Sequence, residues 1–167
     1  LRDITAEANA NIASVNYHFG SKEALLASVL ERRLEPINEL RLHHLDMIEA
    51  KYRDEQLPLQ EVVRAFLMPP FELRKQWGEK GQTFFRVLGR VHGETSKEFR
   101  TTFMQQFDAV LQRFFEAFQR ALPGAAPGDL AWHMLFLTGS MAFTMSWGEA
   151  LKDRDENLKR TSEDVIE

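Results

Sequence analysis

Residues 9–26 read NANIASVNYHFGSKEALL, which has the pattern of a short helix, a tight turn and the beginning of a second helix. Asn11 is a favourable N-cap for the short helix, and Gly20 can adopt the left-handed conformation that ends one. Ser21 can cap the helix that follows, and Glu23 in its first turn faces the positive end of the helix dipole. The stretch therefore predicts two helices that meet at a tight turn.

The two faces of the short helix differ in character. Val15 and Phe19 lie four residues apart, so they share one face, which is suited to packing against a core. The opposite face carries small and polar side chains, namely Ala13, Ser14 and Tyr17. This arrangement is typical of the recognition helix of a helix-turn-helix, whose exposed face enters the major groove of DNA.

The run YHFGSKEAL at residues 17–25, with Ile4 and Ala8 placed before it, resembles the DNA-binding signature of the TetR family of repressors. Residues 1–9 are expected to form the first helix of the helix-turn-helix, with Ile4 and Ala8 on its inner face. Two positions depart from the usual pattern of that family. Asn9 stands where glycine is common, but asparagine tolerates the left-handed region, so the turn can be kept. Asn16 stands where tyrosine is common, which would change a phosphate or base contact.

The resemblance implies an all-α fold, with an N-terminal helix-turn-helix DNA-binding head at residues 1–35 and a helical ligand-binding and dimerisation domain at residues 36–167. A long helix from Lys22 would join the two, and Pro36 within it predicts a kink. The chain starts inside a predicted helix and without methionine, whereas TetR-type proteins have a first helix and a basic arm before this point. We therefore expect further residues upstream of Leu1.

The resemblance also implies which residues contact double-stranded operator DNA. The matching positions are Asn11, Ile12, Ala13, Ser14, Asn16, Tyr17, His18 and Lys22. Tyr17, His18 and Lys22 would hold the phosphate backbone and fix the register, and the others would meet base edges or nearby phosphates. Ile12 could instead touch a thymine methyl group or complete the core. Without the motif, Tyr17 and His18 would be a surface-packed aromatic residue and a capping histidine, and Lys22 a solvated lysine.

Composition limits the class of protein. The 167 residues are 44% hydrophobic, enough for a sizeable core, and the absence of cysteine excludes disulfides, thiolate zinc sites and cysteine nucleophiles. These features fit a cytoplasmic protein. The formal net charge of −4 is unusual for a DNA-binding protein, because Lys and Arg neutralise phosphate. Residues 1–33 hold four basic and four acidic side chains, so affinity would rest on upstream charge or on a few well-placed contacts.

After the turn, apolar side chains recur every three or four residues, which indicates an amphipathic helix. Its expected inner face is Leu25, Leu26, Val29, Leu30, Leu34, Ile37, Leu40 and Ile48. A polar loop at residues 51–58 would be followed by three short helices, the first stopped by Pro69 and Pro70, the second by Gly78 and the third near His92.

Aromatic side chains are frequent in these short helices and in the helix that follows. A capping box at residues 95–98 would open that helix, whose aromatic stripe is Phe99, Phe103, Phe107, Phe114 and Phe118. Such segments suit the walls of a pocket for a small apolar or amphipathic effector, either aromatic or acyl. The candidate ligand-binding residues are Trp77, Phe84, Phe85, Leu88, Phe103, Phe107, Phe136, Ser140 and Phe143. The alternative for each of them is a plain core residue.

The last long helix is apolar nearly all the way round. Residues 130–147 read LAWHMLFLTGSMAFTMSW, which just reaches the length of a membrane span. Interspersed polar residues and the lack of a basic flank favour a buried helix instead. In a TetR-like homodimer formed through the last two long helices, one side would face the core and the other the partner subunit, with Gly139 and Ser140 allowing a close helix crossing.

No catalytic motif or nucleotide-binding glycine pattern is present, and the adjacent His43 and His44 lack the spacing of paired metal ligands. The sequence therefore predicts no enzyme, no cofactor and no metal. It predicts a one-component transcriptional regulator, a repressor that a small effector releases from operator DNA. The alternatives are a small-molecule-binding helical protein without DNA binding and a membrane-associated helical protein.

Overall fold

The computed structural model describes residues 2–91, 101 and 103–152. Within them the fold is all-α and without strands, as the sequence predicted. The helices are α1 (Arg2–Glu7), α2 (Ile12–Phe19), α3 (Lys22–Tyr52), α4 (Leu59–Val91), α5 (Asp108–Ala121) and α6 (Pro127–Lys152). None of these helices is both long enough and apolar enough to cross a membrane.

The helix caps around α2 are formed by the residues that the sequence indicated. The Asn11 side chain accepts a hydrogen bond from the backbone N–H of Ala13 at 2.9 Å, so it caps α2. Gly20 ends α2 with a φ of 74°, a value that side-chain-bearing residues rarely adopt. Ser21 caps α3 by accepting from the N–H of Ala24 at 3.0 Å. The predicted helix, turn and second helix are confirmed.

The first turn of the motif differs in part from expectation. Asn9 adopts a φ of 47°, so asparagine keeps the turn in the place of the usual glycine. Ile4 and Ala8 were expected on the inner face of α1, and this is wrong: Ile4 is 55% exposed and Ala8 is also exposed. The short helix instead buries Thr5, whose hydroxyl donates to the Arg2 carbonyl at 3.0 Å.

The long helix α3 continues through Pro36 without interruption, and the kink expected there stays a prediction. Its buried residues are Leu30, Leu34, Ile37, Asn38, Arg41, Leu45 and Ile48. The inward placement of Val29 was wrong, because this residue lies about 100° round the helix from Leu30 and remains exposed. The two polar residues of the buried face, Asn38 and Arg41, were not anticipated.

The expected helix end at Pro69 and Pro70 is also wrong, since α4 runs through both prolines. A proline in a helix leaves the carbonyl four residues earlier without its N–H partner. For Pro70 that carbonyl belongs to Phe66, and the Nε–H of Arg41 donates to it at 2.9 Å. A bond from α3 thus replaces the bond that α4 lacks at Pro70.

Gly78 interrupts α4 with φ 57° and ψ −134°, which divides α4 into two helical segments that meet at a kink. A Cβ is strongly disfavoured at such angles, so we expect Gly78→Ala to lower the free energy of unfolding by about 1–3 kcal/mol. Urea denaturation measures this change. Gly128→Ala in the first turn of α6 is the matched control, because Gly128 has neither a positive φ nor a neighbour within 4 Å of a Cβ. Equal losses in the two variants would contradict the assignment of strain to Gly78.

The aromatic stripe does not lie on one continuous helix. A turn at Gln106 and Phe107 separates the helical residues 103–105 from α5, so the prediction of an unbroken helix is wrong. The Asn38 side chain donates to the Gln106 carbonyl at 2.9 Å and so supplies a partner for a backbone group at the break. The predicted capping box at residues 95–98 lies outside the described residues.

The core consists of two clusters. One joins the second half of α3 to α4, α5 and α6 around Phe66, Phe114 and Phe118, with ring centroids of Phe66 and Phe114 5.0 Å apart. The other lies nearer to the helix-turn-helix and includes Phe71 and Phe85. Each fully buried aromatic side chain contributes on the order of 1.5–3 kcal/mol to folding through removal from water.

Candidate DNA-binding surface and ligand cavity

None of the residues of helix α2 is buried. Tyr17 is its most prominent side chain at 86% exposure, and its ring meets the His18 ring edge-to-face with centroids 5.2 Å apart. Lys22 is exposed at the first position of α3, directly after the turn. All of the residues predicted to contact DNA are exposed, namely Asn11, Ile12, Ala13, Ser14, Asn16, Tyr17, His18 and Lys22.

A cavity of about 570 Å³ lies among α3, α4, α5 and α6, together with residues 103–107. Its volume is in the range of pockets that hold drug-sized ligands. Leu34, Ile37 and Arg41 on α3 form one wall, and Met134, Thr138, Met141 and Met145 contribute from α6. The walls are formed almost entirely by apolar side chains, so the cavity suits a ligand with a substantial hydrocarbon part.

Four of the sequence-predicted ligand residues line this cavity: Phe85, Leu88, Phe103 and Phe107. Trp77 and Phe84 do not line it. Their rings pack against Phe85, with centroid distances of 6.4 Å and 5.0 Å, respectively. Trp77 and Phe84 therefore pack on Phe85 and support its position in the cavity wall without lining the cavity themselves.

The other three predicted ligand residues, Phe136, Ser140 and Phe143, lie on the outer side of α6 and are exposed. The inner side of α6 is formed by Met134, Thr138, Met141 and Met145, which recur every three or four residues. A helix that is apolar all round gives no periodic signal for choosing between these two faces.

Sequence reasoning also missed Arg41, which is only 3% exposed and lines the cavity. The available signal was its spacing, since it follows Leu34 and Ile37 on the inner face of α3. Arg41 bonds to Phe66 as described above, its Nη1 donates to Asn38 Oδ1 at 3.3 Å, and its guanidinium lies 4.9 Å from the centroid of the Phe66 ring. Burial lowers the pKa of Arg41 to about 10, so the group remains charged at neutral pH.

The outer face of α6 carries an unusual number of exposed aromatic side chains. They are Trp132, Phe136, Phe143 and Trp147. Trp132 and Phe136 have ring centroids 6.1 Å apart, and Phe143 and Trp147 stack at 6.4 Å. We call these four residues the α6 aromatic face. Contiguous exposed apolar surface of this kind marks an interaction site.

Two family models match the chain. The model described as "Bacterial regulatory proteins, tetR family" matches residues 1–29, which include α1, α2 and the beginning of α3. The model described as "Tetracyclin repressor-like, C-terminal domain" matches residues 64–167, which include most of α4 and all of α5 and α6. A search of curated proteins found no match.

Proposed function

The chain belongs to the TetR family of DNA-binding transcriptional regulators, and we propose that it is a repressor that a small apolar or amphipathic effector releases from operator DNA. We also propose that residues 1–35 form the DNA-binding head and residues 36–167 the ligand-binding and dimerisation domain. The observation that carries the proposal is that one helix, α3, both begins at the DNA-binding turn and forms a wall of the cavity.

The connection through α3 supplies a mechanism for release. Lys22 lies at the DNA end of α3, and Leu34, at the cavity, is about 18 Å further along the helix axis. A helix of this length is stiff, so a ligand that displaces the cavity wall moves the head with it. The effector would favour the conformation in which the two heads of the dimer no longer match the operator.

The α6 aromatic face supports a specific mode of dimerisation. We assign it to pairing with a second copy of the chain, through α5 and α6. Gly139 lies in the middle of this face, and a Cβ added there would meet nothing within 4 Å in the same chain. The subunit's own packing does not require glycine at this position, whereas close approach of a partner helix would explain it. A dimer would present two α2 helices roughly 34–36 Å apart to a near-palindromic site.

The proposed DNA binding is tested by selection from a pool of random duplexes, because this needs no knowledge of where the operator lies. We expect enrichment of a near-palindrome. Among the eight residues predicted to contact DNA, Lys22 is the only Lys or Arg, so the dimer would neutralise few phosphates. Its affinity should therefore fall only about tenfold between about 50 and 200 mM salt, as measured by fluorescence anisotropy.

The outcomes of this experiment separate the hypotheses. Absence of any enriched sequence would contradict the regulator function and favour the small-molecule-binding alternative. Enrichment with a far steeper salt dependence would mean that basic residues outside the predicted surface contact DNA. In that case the assignment of the DNA-binding residues, but not the function, would be wrong.

A further inference from the structure

We propose that the effector carries an anionic head group, a carboxylate or a comparable oxyanion, that pairs with Arg41 inside the cavity. The proposal rests on the function proposed above, in which this cavity is the effector site. It narrows the effector from an apolar or amphipathic molecule to an amphipathic organic acid.

The first argument is that Arg41 is a buried cation without an ionic partner in the described part of the chain. Its hydrogen bonds go to the Phe66 carbonyl, to Asn38 Oδ1 and to Met141 Sδ, the last at 3.4 Å, and none of these groups carries a charge. Burying a charge without a counter-charge is unfavourable. The cavity beside Arg41 is the space in which a counter-charge can be accommodated.

The contrast with other arginines of the same domain strengthens this argument. Arg113 on α5 bonds to Asp46 at 2.7 Å and to Glu49 at 2.8 Å, and Arg120 reaches Glu49 at 3.5 Å. These arginines are partly exposed, so water already stabilises their charge. The deeply buried Arg41, which needs a carboxylate most, has none among the described residues.

The second argument concerns the donors that Arg41 has left. A guanidinium has five N–H groups, of which the bonds to Phe66, Asn38 and Met141 use three. One N–H remains on each of Nη1 and Nη2. The guanidinium therefore has two donors left for a ligand, and carboxylates and phosphates are the groups with which arginine forms its strongest hydrogen bonds.

The third argument is that Arg41 is the only charged residue among the described residues that line the cavity. The neutral side-chain amide of Gln112 also lines it and donates to Glu116 at 3.3 Å. The hydroxyl of Thr138 donates to the Met134 carbonyl at 2.8 Å, and the hydroxyl of Ser146 donates to the Ala142 carbonyl at 2.7 Å. Both protons are therefore committed to the helix's own backbone. Pairing with an anionic head group therefore falls to Arg41, and the rest of the ligand would lie against the apolar walls.

A purely structural role for Arg41 would explain its bond to Phe66 but not its buried charge. Replacing the hydrogen bond that Pro70 removes from Phe66 uses only the Nε–H group, and a neutral donor could perform it. That role does not account for a full positive charge at the wall of an apolar cavity. The two roles are compatible, because the structural bond leaves the Nη groups available to a ligand.

The proposal is tested with matched pairs of probes: decanoic acid with decanol, and naphthoic acid with naphthylmethanol. Binding is measured by isothermal titration calorimetry on the full chain. We expect at least one acid to bind about 10- to 100-fold more tightly than its neutral partner, because hydrogen bonds to charged groups are the strong ones. In Arg41→Gln this preference should disappear while the alcohol's affinity changes little, and Arg41→Lys should retain part of it.

Each other outcome contradicts the proposal in a distinguishable way. Equal binding of acid and alcohol by the unaltered protein, a comparison that needs no variant to fold, would overturn the role of the head group. So would an acid preference that survives in Arg41→Gln. If no probe binds, both the anionic head group and the effector role of the cavity are contradicted, whereas the DNA selection still decides DNA binding independently.

Discussion

Phe136→Asp should weaken the homodimer at least about 100-fold, because the substitution places a carboxylate within the α6 aromatic face. In an interface with two-fold symmetry, both subunits carry the substitution, so two unpaired charges would be buried together. Phe136 is 63% exposed in the single chain, and the fold of the monomer should therefore tolerate the change. Sedimentation equilibrium measures the dimer dissociation constant, and circular dichroism checks the fold.

Met47→Asp is the matched control for this prediction. Met47 is an apolar residue of α3 with a similar exposure of 61%, and it is not part of the α6 aromatic face. We expect the control variant to dimerise normally. If Phe136→Asp dimerised as well as the control, the interface would have to lie elsewhere on the chain, and the α6 aromatic face would need another partner.

Tyr17→Ala should lower the affinity for the operator by about 100-fold. Tyr17 is 86% exposed and contributes little to packing within the chain, so stability should be unchanged. Loss of a positioning contact to the DNA backbone is expected to weaken each half-site about tenfold, and a dimer on a near-palindrome loses the contact twice. Fluorescence anisotropy with the selected duplex measures the effect.

Two further variants make this result specific. Tyr17→Phe keeps the ring and removes only the hydroxyl, so it separates a hydrogen bond to phosphate from packing against the sugar-phosphate backbone. Val29→Ala removes an exposed apolar side chain from α3 and should bind DNA normally. Unchanged affinity of Tyr17→Ala would show that α2 does not present this residue to DNA.

The features that the sequence predicted correctly are those that depend on neighbours within about one helical turn. The caps of Asn11 and Ser21 and the positive φ values of Asn9 and Gly20 each involve residues two to four positions apart. Such interactions form in the same way wherever the segment is placed. The motif could therefore be predicted from these residues alone, and with it the family.

The features that the sequence predicted wrongly depend on distant contacts. Pro69 and Pro70 read as a helix end, but the carbonyl exposed by Pro70 is bonded by Arg41, which is 25 residues away from Phe66. Four of the nine ligand candidates line the cavity and five do not, because the folded arrangement of the helices decides which side chains face it. No local pattern contains that information.

Caps, turns and helical periodicity are short-range properties, so the amino-acid sequence was enough to predict the helical class and the helix-turn-helix. The inward face of α6, by contrast, depends on the folded arrangement of the helices, since a helix that is apolar all round can pack in either orientation. That arrangement places Met134 and Met145 at the cavity and leaves Phe136 outside. The fold also buries Arg41 at the wall of an apolar cavity. The sequence did not indicate this position, because burial depends on how the helices assemble.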